Sequence, residues 1–167
     1  MYRRVFLTSL ATPLLLAACA GGLGPVDFGP DENTMDATLI VLRHAEGGDD
    51  GLNADGNARA EALAEAMAGV EIDGIYSASQ SGIETARPLA QAKEIQIQVI
   101  VPVEIARTMF TRQPGRTLVW VGSDADLATL WEEIGADGAP PANPGEMFIV
   151  PMTGLTADGV SRSQIGA

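Results

Sequence analysis

Short apolar runs alternate with helical-period runs along most of this chain. That alternation constrains the fold more than any other feature. Residues 37–42 (ATLIVL), 74–77 (GIYS), 95–101, 117–121 (TLVWV) and 147–150 are each short enough to be buried strands. Between them the period changes. Ala60, Leu63, Ala64 and Met67 recur at i, i+3, i+4 and i+7, one apolar face of a helix that Asn53 or Asp55 starts and Gly69 stops. Residues 79–92 read as a second helix, bent at Pro88. Leu127, Leu130, Trp131 and Ile134 mark a third, with Asp124 and Asp126 capping its start. Asp158-Gly159 marks a turn into a short edge strand over 160–165. Strand–helix alternation predicts an α/β three-layer sandwich over residues 37–167, its mostly parallel central sheet flanked by helices. In such sheets ligands bind at the carboxyl ends of the strands.

The first residues follow different rules. Arg3 and Arg4 precede an apolar stretch, residues 5–18. A bilayer core needs about 20 apolar residues, so this is short for a permanent span and suits an export signal. Leu16-Ala17-Ala18-Cys19 resembles the cleavage box of bacterial lipoproteins. The resemblance implies that residues 1–18 are a signal peptide and that Cys19 becomes the lipidated first residue of the mature chain. Ala20, where Asp would favour retention at the inner membrane, implies the periplasmic face of the outer membrane. Residues 19–36 are Gly/Pro-rich without a period and read as a lipidated Cys followed by a flexible tether.

Charge narrows the function. There are 22 acids against 10 bases, a net charge of −12, so a nucleic-acid partner is not expected. Losing Arg3 and Arg4 with the signal would make the chain more acidic still. The single Cys excludes an internal disulfide framework and any multi-Cys zinc site. The single His excludes mechanisms needing two histidines from one chain. Gly47-Gly48-Asp49-Asp50-Gly51 is acidic but lacks the ligand pattern of an EF-hand, so it reads as a plain flexible loop and no metal site is expected.

Val41-Leu42-Arg43-His44-Ala45-Glu46 closes the first strand with an Arg and the His. It resembles the leucine-x-Arg-His-Gly signature of the histidine phosphatase superfamily, the phosphoglycerate mutase-like enzymes. Four further stretches resemble that family in the same order: 52–64, 75–77 with Thr85-Ala86-Arg87-Pro88-Leu89-Ala90, 115–122, and 147–150. The resemblance implies phosphomonoester hydrolysis through a phosphohistidine. An imidazole nitrogen attacks phosphorus in line, arginine forks hold the phosphoryl oxygens, and a carboxylic acid protonates the leaving oxygen. His44 would be the nucleophile and Arg43 a phosphate ligand. No cofactor is implied, and the partner would be a small phosphorylated molecule.

The departures are as informative. The family's second Arg, four residues before Thr-Ala, falls on Ser81, and its second His, directly after Val-Gly, falls on Ser123. Both serines can still donate hydrogen bonds but carry no positive charge. Arg59 is expected on the polar face of the first helix. Arg59, Arg87, Arg107, Arg112 and Arg116 are candidates for local replacement of the lost charge, and Glu104 for the leaving-group acid. Glu46 is positioned to cap its loop or to pair with Arg43. Two function classes follow: a weakened or lapsed phosphatase held on the envelope, or a non-catalytic lipoprotein that keeps the fold for ligand binding or protein contacts. The sequence does not fix the oligomeric state.

Overall fold

The computed structural model describes residues 36–48 and 51–165. The signal, Cys19 and the tether through residue 35 therefore lie outside the described residues. The elements in chain order are β1 (Asp36–Arg43), β2 (Gly47–Gly48), β3 (Gly51–Leu52), α1 (Ala54–Ala66), β4 (Gly74–Ser77), α2 (Gln80–Lys93), β5 (Ile97–Val99) and α3 (Ile105–Arg112). They continue with β6 (Thr117–Gly122), α4 (Asp124–Ile134), β7 (Glu146–Thr153), β8 (Thr156–Ala157) and β9 (Ser161–Gln164).

One sheet runs β5-β4-β6-β1-β7, and the outer edge of β7 is shared by β8 and β9. The pairs β5–β4, β4–β6 and β6–β1 are parallel. β7 is antiparallel to β1, with Leu39 opposite Val150 and Val41 opposite Phe148. The sheet is thus parallel over its first four strands and antiparallel beyond.

Alternation along the strands builds two cores. Leu39 and Val41 of β1, Tyr76 of β4, and Leu118 and Trp120 of β6 face α3 and α4, packing with Ile105, Met109, Leu127 and Leu130. Their neighbours Ile40, Leu42, Ile75, Val119 and Val121 face α1 and α2, packing with Leu63, Met67, Ala86 and Leu89. Burial on both faces explains why the strands read as continuous apolar runs. The result is helix, sheet, helix, as expected.

Local signals explain the boundaries. Asn53 accepts a hydrogen bond from the Gly56 N–H and starts α1, which ends at Ala66, short of Gly69. Ser79 caps α2, which runs through Pro88 to Glu94 in the left-handed region, φ 57°. The cap of α4 is Ser123, with Asp126 closing a reciprocal capping box, so Asp124 is free of that role.

Several expectations needed correction. β5 spans Ile97–Val99, shorter than 95–101. The connection after it holds a helix, α3, whose N-terminal Ala106 and Arg107 N–H groups donate to the Glu133 carboxylate on α4. That cap comes from a distant residue and leaves no local sequence trace. Within the Gly-rich segment expected to be a plain loop, Gly47 and Gly48 pair with Leu52 and Gly51 as β2–β3. The edge strand is confined to Ser161–Gln164, and β8 precedes it.

Gly82, in the first turn of α2, lets the helix approach β4 and β6. A Cβ there would meet the Ser77 hydroxyl and, at 2.7 Å, the Val121 carbonyl oxygen, whereas one at Gly69 would meet nothing within 4 Å. Gly82→Ala is therefore expected to destabilise the fold by about 1–3 kcal/mol, the usual range for overpacking. Gly69→Ala should change stability by only a few tenths of that. Urea unfolding compares them, and equal stability of the two variants would contradict this packing.

Candidate functional site at the strand ends

Three adjacent strands, β4, β6 and β1, point their carboxyl ends the same way. β1 leaves the sheet at Arg43-His44. Arg43 still registers with Gly122 of β6, and the His44 N–H donates to the Gly122 carbonyl at 3.0 Å. The next peptide is held from the other side. The Ala45 N–H donates to Thr85 Oγ1 at 2.9 Å, and Thr85 Oγ1 donates to the Ser81 carbonyl at 2.7 Å. The His44 backbone is thus clamped between β6 and α2.

The His44 ring is half-buried, with Nδ1 2.9 Å from the Ala45 carbonyl oxygen. A carbonyl only accepts, so Nδ1 carries the proton and Nε2 keeps its lone pair when the ring is neutral. That is the tautomer a nucleophilic imidazole requires.

Arg43 is differently placed. Its Nη2 donates to Asp124 Oδ2 at 3.0 Å, and its Nε lies 2.5 Å from Oδ1. The second contact is an ion pair without hydrogen-bond alignment: the buried Nε–H has no well-aimed acceptor. The guanidinium is 25% exposed and the Asp124 side chain 68%. Asp124, the first residue of α4, was legible only as a helix-start acid. Its position directly after Ser123 was the available signal.

Glu46 pairs with Arg59, not with Arg43. Arg59 Nη2 and Nε both reach the carboxylate, at 2.6 and 2.9 Å, and Nη1 donates to the Ile165 carbonyl at 3.1 Å. Arg59 thereby ties the loop after β1 to α1 and to the chain segment after β9, instead of lying on a solvated helix face. The Arg59 hydrogen bonds hold the Glu46 carboxyl below its usual pKa of 4.5, against the opposing effect of burial. Beside this pair lies a cavity of about 10 Å³, lined by Leu42, Arg43, Ala45, Arg59, Leu63, Thr85, Gly145 and Ile165. It has room for about one water and no ligand. A cleft of about 400 Å³ lies elsewhere, lined by residues 68–73 and Lys93, on the side where β4 begins.

The remaining candidates scatter. Ser123 Oγ donates to Asp126 Oδ2 at 2.8 Å and is absorbed in the α4 cap. Ser81 lies in the first turn of α2, partly buried, next to the clamp on His44. Glu104 begins α3 at φ 47° and pairs with Arg107, both largely exposed. Arg112 donates to Gln98 Oε1 at 3.2 Å, and Arg116 to Asp73 Oδ1 at 3.2 Å. Arg107, Arg112 and Arg116 are thus engaged with Glu104, Gln98 and Asp73. The structure brings together Arg43, His44 and Ser123, with Ser81 across the clamp.

Comparison with known proteins agrees with this fold. Residues 40–117 match the family model of the histidine phosphatase superfamily (branch 1). Among solved structures, YhfR of Bacillus stearothermophilus is 18% identical with a TM-score of 0.61, covering 72% of this chain and 94% of its own. SixA from Agrobacterium tumefaciens is 21% identical, TM-score 0.54, covering 78% and 97%. Phosphoglycerate mutase from Bacillus anthracis is 11% identical, TM-score 0.61, covering 81% and 95%. At these identities the neighbours establish the fold. No curated protein matches the chain.

The Glu46–Arg59 pair generates a pH prediction. A carboxyl whose folded pKa is depressed contributes stability that is present above its unfolded value and lost as pH falls through the folded one. Glu46→Gln should cost about 1–3 kcal/mol at neutral pH, the range for hydrogen bonds to a charged group. The gap between wild type and variant should close on acidification below 4.5. Urea midpoints across pH measure it; a gap unchanged down to strongly acidic pH would contradict the pairing.

Proposed function

We propose that the domain is a member of the histidine phosphatase superfamily, a reading supported by the family-model match over residues 40–117 and by the shared fold, and that it is a lapsed phosphatase serving as an envelope-anchored binding protein. Hydrolysis of phosphomonoesters through a phosphohistidine at His44 is reduced to a residual rate or lost. The observation that carries this reading is the ion pair of Arg43 with Asp124. Phosphoryl transfer needs cationic donors around the transferred group. In the family's usual pattern, Arg43 and His44 are joined by a second Arg and a second His. Those positions hold Ser81 and Ser123 here, and Arg43 is already neutralised.

Magnitudes favour binding over catalysis. Removing one preorganised transition-state donor typically costs about 10²–10³ in rate, and two are replaced. Such losses are not additive, but together they leave little of a pocket whose work is electrostatic. A net charge of −12 repels an anionic substrate over longer range.

A second reading, a slow phosphomonoesterase, is favoured by one observation. The Nδ1–H···O bond of His44 leaves Nε2 in the nucleophilic form. One assay separates the two. With p-nitrophenyl phosphate, wild type should hydrolyse within about tenfold of His44→Ala, because the donors that make His44 productive are missing. Clear hydrolysis abolished by His44→Ala, with a trapped phosphohistidine, would replace the binding reading by the enzymatic one.

The anchor completes the proposal. Cys19, preceded by Leu16-Ala17-Ala18, would carry lipid at the periplasmic face of the bacterial outer membrane. Metabolic labelling with a radioactive fatty acid should mark wild type and leave Cys19→Ala unmarked. Equal labelling of the two would remove the anchor from the account.

A further inference from the structure

We propose that Asp124 sets the ligand preference of the strand-end site, excluding simple phosphate dianions and favouring zwitterions that offer an oxyanion to Arg43 and an ammonium to Asp124. The proposal rests on the reading of this site as one that binds more than it hydrolyses.

Arg43 and Asp124 form a side-by-side positive and negative pair at the ends of β1 and β6, Arg43 being the residue before His44. The pair is satisfied in charge but not in direction. Nη2 donates to Oδ2 at 3.0 Å, whereas the buried Nε–H has no aligned acceptor despite Oδ1 at 2.5 Å. A tetrahedral oxyanion presents several oxygens and can align one with each donor of a guanidinium fork. The structure therefore holds a donor that its present partner uses poorly.

Asp124 is also free to turn. Its side chain is 68% exposed, and the start of α4 is fixed by Ser123 and Asp126, not by Asp124. Asp126 is spent on the Ser123 N–H and Oγ, and Glu46 is held by Arg59. Asp124 is thus the acid at this site able to meet a ligand.

Electrostatics then selects the ligand. A plain dianion that takes Arg43 leaves the Asp124 carboxylate unpaired and facing another negative group. A zwitterion re-forms both halves of the pair. Its oxyanion supplies the acceptor that Nε lacks, and its ammonium replaces the guanidinium beside Asp124. Each half is a charge-assisted contact, the strong kind.

Titration calorimetry of the full-length chain in detergent tests this with two probes of similar shape, O-phosphoethanolamine and n-propyl phosphate. Wild type should bind the zwitterion about tenfold more tightly or better, one tenfold step being the size of a single such contact. Asp124→Asn keeps the side-chain shape and the α4 cap. It should gain about tenfold for propyl phosphate and bring the two probes within about threefold of each other. Arg43→Gln should lose both. Equal binding of the probes by wild type, an undiminished preference in Asp124→Asn, or no binding of either probe by either protein would overturn the proposal. His44-dependent hydrolysis of the probes would instead overturn the binding reading and leave the preference standing.

Discussion

β1 is buried on both faces, sits between β6 and β7, and ends in an arginine. How that guanidinium is neutralised decides what the strand ends can do. A charge at the rim of a core is costly without a partner. Here the partner is Asp124, the first residue of the helix after β6, three-quarters of the Arg43 side chain being withdrawn from water. Parallel pairing of β1 with β6 places Arg43 level with Gly122, and the capping box then presents Asp124 just beyond. A backbone register thus becomes an electrostatic fact. The arginine at the strand end is already paired.

The same pattern recurs across an acid-rich chain. Arg59 is tied to Glu46, Arg107 to Glu104 and Arg116 to Asp73. The exposed pairs contribute little to stability, a median of about 0–1 kcal/mol. The half-buried Arg59–Glu46 pair differs: it ties the loop after β1 to α1 and to Ile165, and so braces the site from below. His44 benefits from that bracing. Its backbone is clamped by Gly122 and Thr85, and its ring is oriented by the Ala45 carbonyl.

Much of this was legible in the sequence. Strand–helix alternation identified the layered fold, since strands buried on both faces cannot hide their apolar runs. Arg43-His44 after the first strand marked the candidate site, because ligands in such sheets bind at strand carboxyl ends. Less legible were features set by distant residues. α3 begins at a Glu104 with φ 47° and is capped by Glu133 of α4, so no local start signal precedes it. The Glu46–Arg59 and Arg43–Asp124 pairs join residues 13 and 81 positions apart, which sequence spacing does not reveal. The Ser123 cap was read as an aspartate cap for a simpler reason: Ser, Asp and Asp in succession are all good N-caps, and only backbone geometry selects one.

The account stands on the claim that Asp124, and not a ligand, holds Arg43 in the wild-type protein. The side-chain Nε–H resonance of Arg43, followed by NMR while inorganic phosphate is added, measures this directly. The account predicts that the resonance needs about tenfold more phosphate to shift in wild type than in Asp124→Asn, because a dianion must compete with the carboxylate. A shift that saturates at the same phosphate concentration in both proteins would contradict it.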